Sequence, residues 1–351
     1  MNSFRRTPPH PRALRLMRGR LARLAGVAAG VVLATMAVNG FGANDRRLAT
    51  LAAAYGLLVL SLVVLTGFAG QVSFVQAQLA GVGALVTGWL VANMGWSFWA
   101  AAPVAVAASV IVGVVVGLPA LRLQGLILGV VTLALALGFD AYLFTLGPFG
   151  KGFTLARPAL PGLNLADDRI TFAVCLAVLL LAALAVANLR RSGTGRLFAA
   201  VRDSEVAART AGVDVTRLKL TAFAVSAGLA GLAGVLLALT VGSVEKQSFG
   251  LLFSINITAV ATLMGTGLVG SAVAGGLFLA FGGQVLNLAG LDPQYFNIVL
   301  GAGLIAQLIA APEGLLPRIG RLAAAVRAKR AGALNPAASP MVDTNPATVT
   351  P

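Results

Sequence analysis

Gln71, Ser73, Gln76 and Gln78 crowd into the stretch TGFAGQVSFVQAQLAGVG (Thr66–Gly83), at the edge of an otherwise apolar run. Amides and a hydroxyl do no covalent chemistry by themselves; they exchange hydrogen bonds. Facing lipid they are costly, so they should face a bundle interior, a water-filled path or an interface. Gly67, Gly70, Gly81 and Gly83 bracket them. Helices broken in this way, with freed backbone groups lining a cavity, are typical of transporters. The competing reading is a polar loop at a membrane surface. Asn256 and Thr258, in a later apolar run, join Gln71, Ser73 and Gln76 as candidates for the wall of a translocation path.

Catalytic constellations are not found. Gly150-Lys151-Gly152 approaches a phosphate loop, but GxxxxGK[ST] needs glycine where Thr145 stands and Ser/Thr where Gly152 stands. There is no HExxH, no GxSxG and no pair of carboxylates in a plausible pocket. Ser192 and Ser204 have no histidine partner, since the one histidine, His10, lies in a Pro/Arg-rich tail. The single cysteine, Cys175, sits in an apolar run and has no partner for an intramolecular disulfide. No catalytic site, metal site or cofactor is expected. Asp140, a carboxylate inside an apolar run, reads either as a functional intramembrane charge or as an outer-end residue beside Tyr142 in the interfacial belt; the second reading is preferred.

The longest polar interval between two apolar runs is Arg190–Lys219, with seven basic and three acidic residues. Its middle reads as one short amphipathic helix near 197–212. Leu197, Val201 and Ala208 fall near one face; Arg202, Asp203, Glu205 and Arg209 carry the charge. Gly212 stands where a C-terminal cap is expected. Such a helix can lie at a membrane surface and offer a charged, shallow face to a soluble partner or to lipid headgroups.

The elements around these residues follow from composition. Hydrophobic residues make up 58% of the 351 and charged residues 11%. A soluble domain carries about 25% charged residues. The apolar runs are continuous rather than alternating, which selects an all-α, polytopic helical membrane protein over a β-barrel. Windows of membrane-spanning length fall near 24–42, 48–68, 77–94, 97–118, 125–146, 170–189, 218–242, 251–268, 270–288 and 295–311, about ten transmembrane helices. Segments then on the cytoplasmic side hold seven, one, seven and five Lys/Arg, against six on the other side; this bias puts both termini in the cytoplasm. The net charge of +15 therefore belongs to orientation and anionic headgroups rather than to nucleic acid. Residues 1–23, with seven arginines and three prolines, read as a disordered basic tail. Arg5-Arg6 followed by 24–38 has the outline of an export signal, but an uncleaved first span is preferred. The transmembrane domain runs over 24–316 and contains the 190–219 segment; 317–351 reads as a second, largely disordered tail. Gly26/Gly30, Gly113/Gly117 and Gly125/Gly129 have the spacing of close helix packing, and Gly67/Gly70 and Gly267/Gly270 hint at an internal repeat, though chance serves as well in a chain with 42 glycines.

These residues resemble a known family. AAYGLLVLSLVVLTGFAGQVSFVQAQLAGVGALVTGWL, GLPALRLQGLILGVVTLAL (Gly117–Leu135), GTGRLFAAVRDSEVAARTAGVDVTRLKLTAFAVSAGLAGLAGVLLA and Ala311-Pro312-Glu313-Gly314-Leu315-Leu316 are similar to segments of the branched-chain amino acid ABC transporter permeases of the LivM type. The similarity covers about 48–316. The chain departs from the family pattern at Val75–Ala80 and at Leu263–Ala272, the first of these inside the possible permeation region. The resemblance implies the permease subunit of an ATP-driven importer in a bacterial inner membrane, for branched-chain or other hydrophobic amino acids. It implies two cytoplasmic ATP-binding subunits, a second homologous permease subunit and an extracytoplasmic solute-binding protein. Glu205–Gly212 is similar to the loop by which such importers couple to their ATPases; Arg202, Asp203, Glu205, Ala207, Ala208, Arg209 and Gly212 are the coupling residues expected. Remaining alternatives are a permease for urea, short amides or a ribose-type sugar, a stand-alone secondary carrier, and a non-transporting scaffold.

Overall fold

The computed structural model describes residues 40, 42–310 apart from 122, 124, 146–148, 151, 156–157, 161–162, 166 and 268, and residues 315 and 318. The tail 1–23 lies outside the described residues, as do the span read at 24–42 except residues 40 and 42 and the tail 317–351 except residue 318.

Among the described residues eleven α-helices follow one another: α1 (Ala43–Leu62), α2 (Gln76–Ala92), α3 (Phe98–Ala120), α4 (Gly125–Ala141), α5 (Asp168–Arg191), α6 (Gly193–Asp203), α7 (Glu205–Thr210), α8 (Val215–Val241), α9 (Leu251–Met264), α10 (Gly270–Leu288) and α11 (Phe296–Ala310). Seven helical stretches among the described residues are long and apolar enough to cross a membrane. The other two spans read from the sequence appear as shorter apolar helices: α2 has 17 residues and α11 has 15. Continuous apolar runs satisfy their own backbone as helices, which is why the chain folds this way.

Burial separates an inner from an outer layer. In α1 with its following π turn, 83% of the apolar window is buried, and in α8 72%, against 28% for α4, α5 and α10. α8 packs against α1, α2 and α3, while α10 and α5 flank α1. Small residues let an outer helix approach the inner α8: the faces of Gly113 and Gly117 on α3 meet Ala227 and Phe223 on α8, as their spacing predicts. Apolar side chains of the outer helices, such as Ile111, Val115, Ile127 and Val130, point outward.

Helix ends collect at two opposite faces. At one, a two-residue ladder pairs β1 (Phe153–Thr154) with β4 (Ser243–Val244), beside the hairpin of β2 (Ala159–Leu160) and β3 (Leu163–Asn164). At the same face Asp140, half-buried near the end of α4, accepts the backbone N–H of Leu251 at 2.7 Å. Leu251 opens α9, whose own cap residue, Gly250, has no side chain to offer. Asp140 is thus a cap supplied from another helix, which accounts for a carboxylate at that depth. The opposite face carries α6 and α7.

Candidate functional site

α1 does not end cleanly. Its last turn widens into a π helix, Val63–Phe68, and Ala69–Val75 then runs without helical structure until α2 begins at Gln76. This stretch is largely inside the bundle: Gln71 is 5% exposed, Ser73 and Gln78 are 0%, and Gln76 is 1%. The positions read as either path or surface loop therefore lie in the interior.

An interrupted helix inside a bundle must pair its freed backbone groups with side chains. Here they come from several spans. Thr66 Oγ1 donates to the Gln71 carbonyl at 3.2 Å, and the Phe74 N–H donates to Thr132 Oγ1 on α4 at 3.1 Å. Ser254 Oγ on α9 donates to the Phe74 carbonyl. One turn below, Ser61 Oγ donates to Gln76 Oε1 at 3.1 Å, and Ser226 on α8 donates to the Ser61 carbonyl at 2.8 Å. The amide atoms of Gln71 and Gln78 and the Gln76 Nε2 are buried and find no hydrogen-bond partner among the described residues.

The structure gathers Gln71, Ser73 and Gln76 on this segment but keeps the two α9 candidates apart from it. Thr258 spends its hydroxyl on the Ser254 carbonyl of its own helix, and Asn256 pairs with Asn297 on α11 at 3.0 Å. An α9 side chain that does bind the segment is Ser254. Sequence reasoning passed over it, as it did Thr132; small hydroxyls inside apolar runs are the signal that could have found both.

The charged segment folds as two helices rather than one. α6 ends at Asp203, Ser204 takes extended backbone (φ −160°), and its hydroxyl accepts the Ala207 N–H to open α7. A serine followed by an acidic residue is a helix-start pattern that the single-helix reading overlooked. α7 closes as expected: Gly212 has φ +81°, and the N–H groups of Gly212 and Val213 reach back to the carbonyls of Arg209 and Ala208.

The two helices divide the expected coupling residues into an inner and an outer set. Arg202 Nη1 donates to the Gly67 carbonyl at 2.8 Å, beneath the interrupted helix. Glu205 meets Lys219 Nζ on α8 at 2.5 Å; the lysine side chain is 3% exposed. Ala208 is buried. Asp203, Ala207 and Arg209 face outward, with the apolar Leu197 and Val206 beside them at 41% and 75% exposure. Asp203 lies 3.6 Å from Arg202. A cavity of about 320 Å³ opens beside this contact, lined among others by Gly70, Gln71, Gly125, Arg202, Glu205 and Lys219.

Comparison with known proteins agrees with this architecture. Residues 46–308 match the family model described as branched-chain amino acid transport system / permease component. The chain is 30% identical over 298 residues to the high-affinity branched-chain amino acid transport system permease protein LivM of Salmonella typhimurium, covering 77% of this chain and 69% of the relative, and LivM of Escherichia coli gives the same figures. The autoinducer 2 import system permease protein LsrC of an Enterobacter species is 34% identical over 139 residues, 38% of this chain and 40% of the relative. No solved structure matches. With an interior-facing interrupted helix, a bundle of apolar spans and a family match across nearly all of it, the chain is a multi-pass membrane protein that belongs to the branched-chain amino acid transport system permease family.

Proposed function

We propose that this chain is a transmembrane subunit of an ATP-driven importer for branched-chain amino acids, working by alternating access around the interrupted α1–α2 hairpin. The observation that carries the reading is the buried polar segment Ala69–Gln78, held by hydroxyls of α1, α4 and α9, in a chain of this family. Gln71, Ser73 and Gln76 line the path, with Thr258 and Asn256 farther along α9. Weak polar groups suffice there if a separate binding protein supplies specificity. The chain carries no phosphate loop, so energy arrives from two ATPase subunits at the α6–α7 face. Asp203, Ala207, Arg209, Leu197 and Val206 form the face that docks in an ATPase groove, as an exposed helix does. Arg202, Glu205, Ala208 and Gly212 hold the two helices in place beneath it. A second homologous permease completes the membrane unit in the bacterial inner membrane, with both ends of this chain in the cytoplasm.

The test is reconstitution into proteoliposomes with the ATPase subunits, the second permease and the binding protein. Radiolabelled leucine should enter only with internal ATP and external binding protein. Uptake by this chain alone, abolished by a protonophore, would instead make it a secondary carrier. Uptake competed by urea, short amides or ribose but not by valine would reassign the solute.

A further inference from the structure

Gly67 and Gly267 occupy matching places. Gly67 lies in the π turn Val63–Phe68 that ends the first described span, Gly267 lies in the turn after α9, and each has a second glycine three residues on, Gly70 or Gly270. The fold brings the two turns into contact. A Cβ at Gly67 would overlap the carbonyl of Thr266, so only glycine lets the two chain segments meet there. Each turn presents a carbonyl, that of Gly67 at the negative end of its helix, and each carbonyl receives an arginine. Arg202 Nη1 donates to Gly67 O at 2.8 Å, and Arg190 Nη1 donates to Gly267 O at 2.7 Å. Arg190 also lies over the ring of Phe68, 5.6 Å from its centroid, so it touches both turns at once.

The two arginines sit on one stiff piece of chain. Arg190 is in the last turn of α5 and Arg202 in the last turn of α6. The elbow between them is closed by Ser192, whose hydroxyl accepts the Gly195 N–H at 3.2 Å, and Gly195 packs directly on the Leu189 and Arg190 carbonyls. A displacement of α6 is therefore delivered to α1 through Arg202 and to α9 and Phe68 through Arg190, at the point where the two turns abut.

We propose that Arg190 and Arg202 are a matched pair of positioning residues through which the α5–α6 elbow moves the α1–α2 and α9–α10 hairpins together, so that a push on the outer face reaches both sides of the path in one step. The proposal rests on the importer reading and deepens it. Arg190 was not among the coupling residues expected from the sequence.

The experiment uses the complete importer in proteoliposomes and reads leucine imported per ATP hydrolysed, alongside the unfolding temperature of the purified complex. Wild type must first couple uptake to ATP; if it does not, the importer reading itself fails. Given coupling, R190Q and R202Q should each assemble and lower the solute-to-ATP ratio by about tenfold, the weight of one charge-assisted hydrogen bond. The double variant should be no worse than the poorer single one, because both act in one step. R190K and R202K, which keep one donor, should recover part of the ratio. An unchanged ratio in both Gln variants overturns the proposal. So does a fall in unfolding temperature with hydrolysis and uptake reduced in parallel, which is what passive staples would give.

Discussion

Arg202 Nη1 lies 2.8 Å from the carbonyl of Gly67, 135 positions earlier in the chain, and the other side of Gly67 is pressed on the Thr266 backbone. The glycine is thus fixed from two directions, by a guanidinium and by a neighbouring helix end. Gly67→Ala puts a methyl group into a carbonyl that belongs to the backbone and cannot rotate away. We expect a loss of about 1–3 kcal/mol, the usual range for overpacking a tight interior. The measurement is thermal unfolding of the purified protein in detergent. A wild-type unfolding temperature for Gly67→Ala would mean that the two helix ends do not meet this closely.

Lys219 reads in the sequence as the charge that opens the next span, yet its side chain is 3% exposed and its ammonium is bound to Glu205. Taking away one member of a buried pair is worse than taking away both, because the survivor keeps its charge without a partner. Glu205→Gln should therefore destabilise the protein by about 3 kcal/mol, the lower end of the range since Glu205 itself is 21% exposed. Glu205→Gln with Lys219→Met should restore most of that loss. A double-mutant cycle on unfolding free energies reads the coupling, and additive losses would contradict a direct pair.

The span pattern, the polar interruption and the charged segment were all legible because each is written in residue types. Apolar runs announce spans, four polar side chains in Gln71–Gln78 mark a break that reads as an interior segment or a surface loop, and Gly212 announces a helix end. The joints were not legible. Arg202 and Arg190 bind the carbonyls of Gly67 and Gly267, and Asp140 binds the N–H of Leu251. Every residue has such groups, so a backbone partner leaves no mark on sequence. The inward turn of Arg202 and Glu205 was hidden for the same reason: helical periodicity separates charged from apolar positions but does not say which charges meet another helix. The break at Ser204 was readable from its capping chemistry and was masked by the amphipathic pattern continuing across it.

Asp140 closes the N-terminus of α9 from a different span. Asp140→Ala should cost about 1 kcal/mol as a lost cap, with Asp140→Asn costing less, since an amide oxygen still accepts the Leu251 N–H. If Asp140 were instead a proton carrier, Asp140→Asn would abolish uptake while leaving stability near wild type. Unfolding temperature and uptake measured on the same two variants separate these outcomes.

Gln78 is 0% exposed and neither polar atom of its amide has a hydrogen-bond partner among the described residues. Such a group costs about 1–3 kcal/mol relative to a satisfied or apolar one. In a purely structural position it would be a liability, and leucine would be the better residue. If the segment lines a path as proposed, the amide becomes useful when the hairpins part and water and solute reach it. Gln78→Leu should therefore raise the unfolding free energy by about 1 kcal/mol and lower the uptake rate, whereas Leu79→Met, on the neighbouring buried position, should change neither much. The pairing of higher stability with lower transport is the signature to look for. A Gln78→Leu protein that transports like wild type would place the amide outside the path.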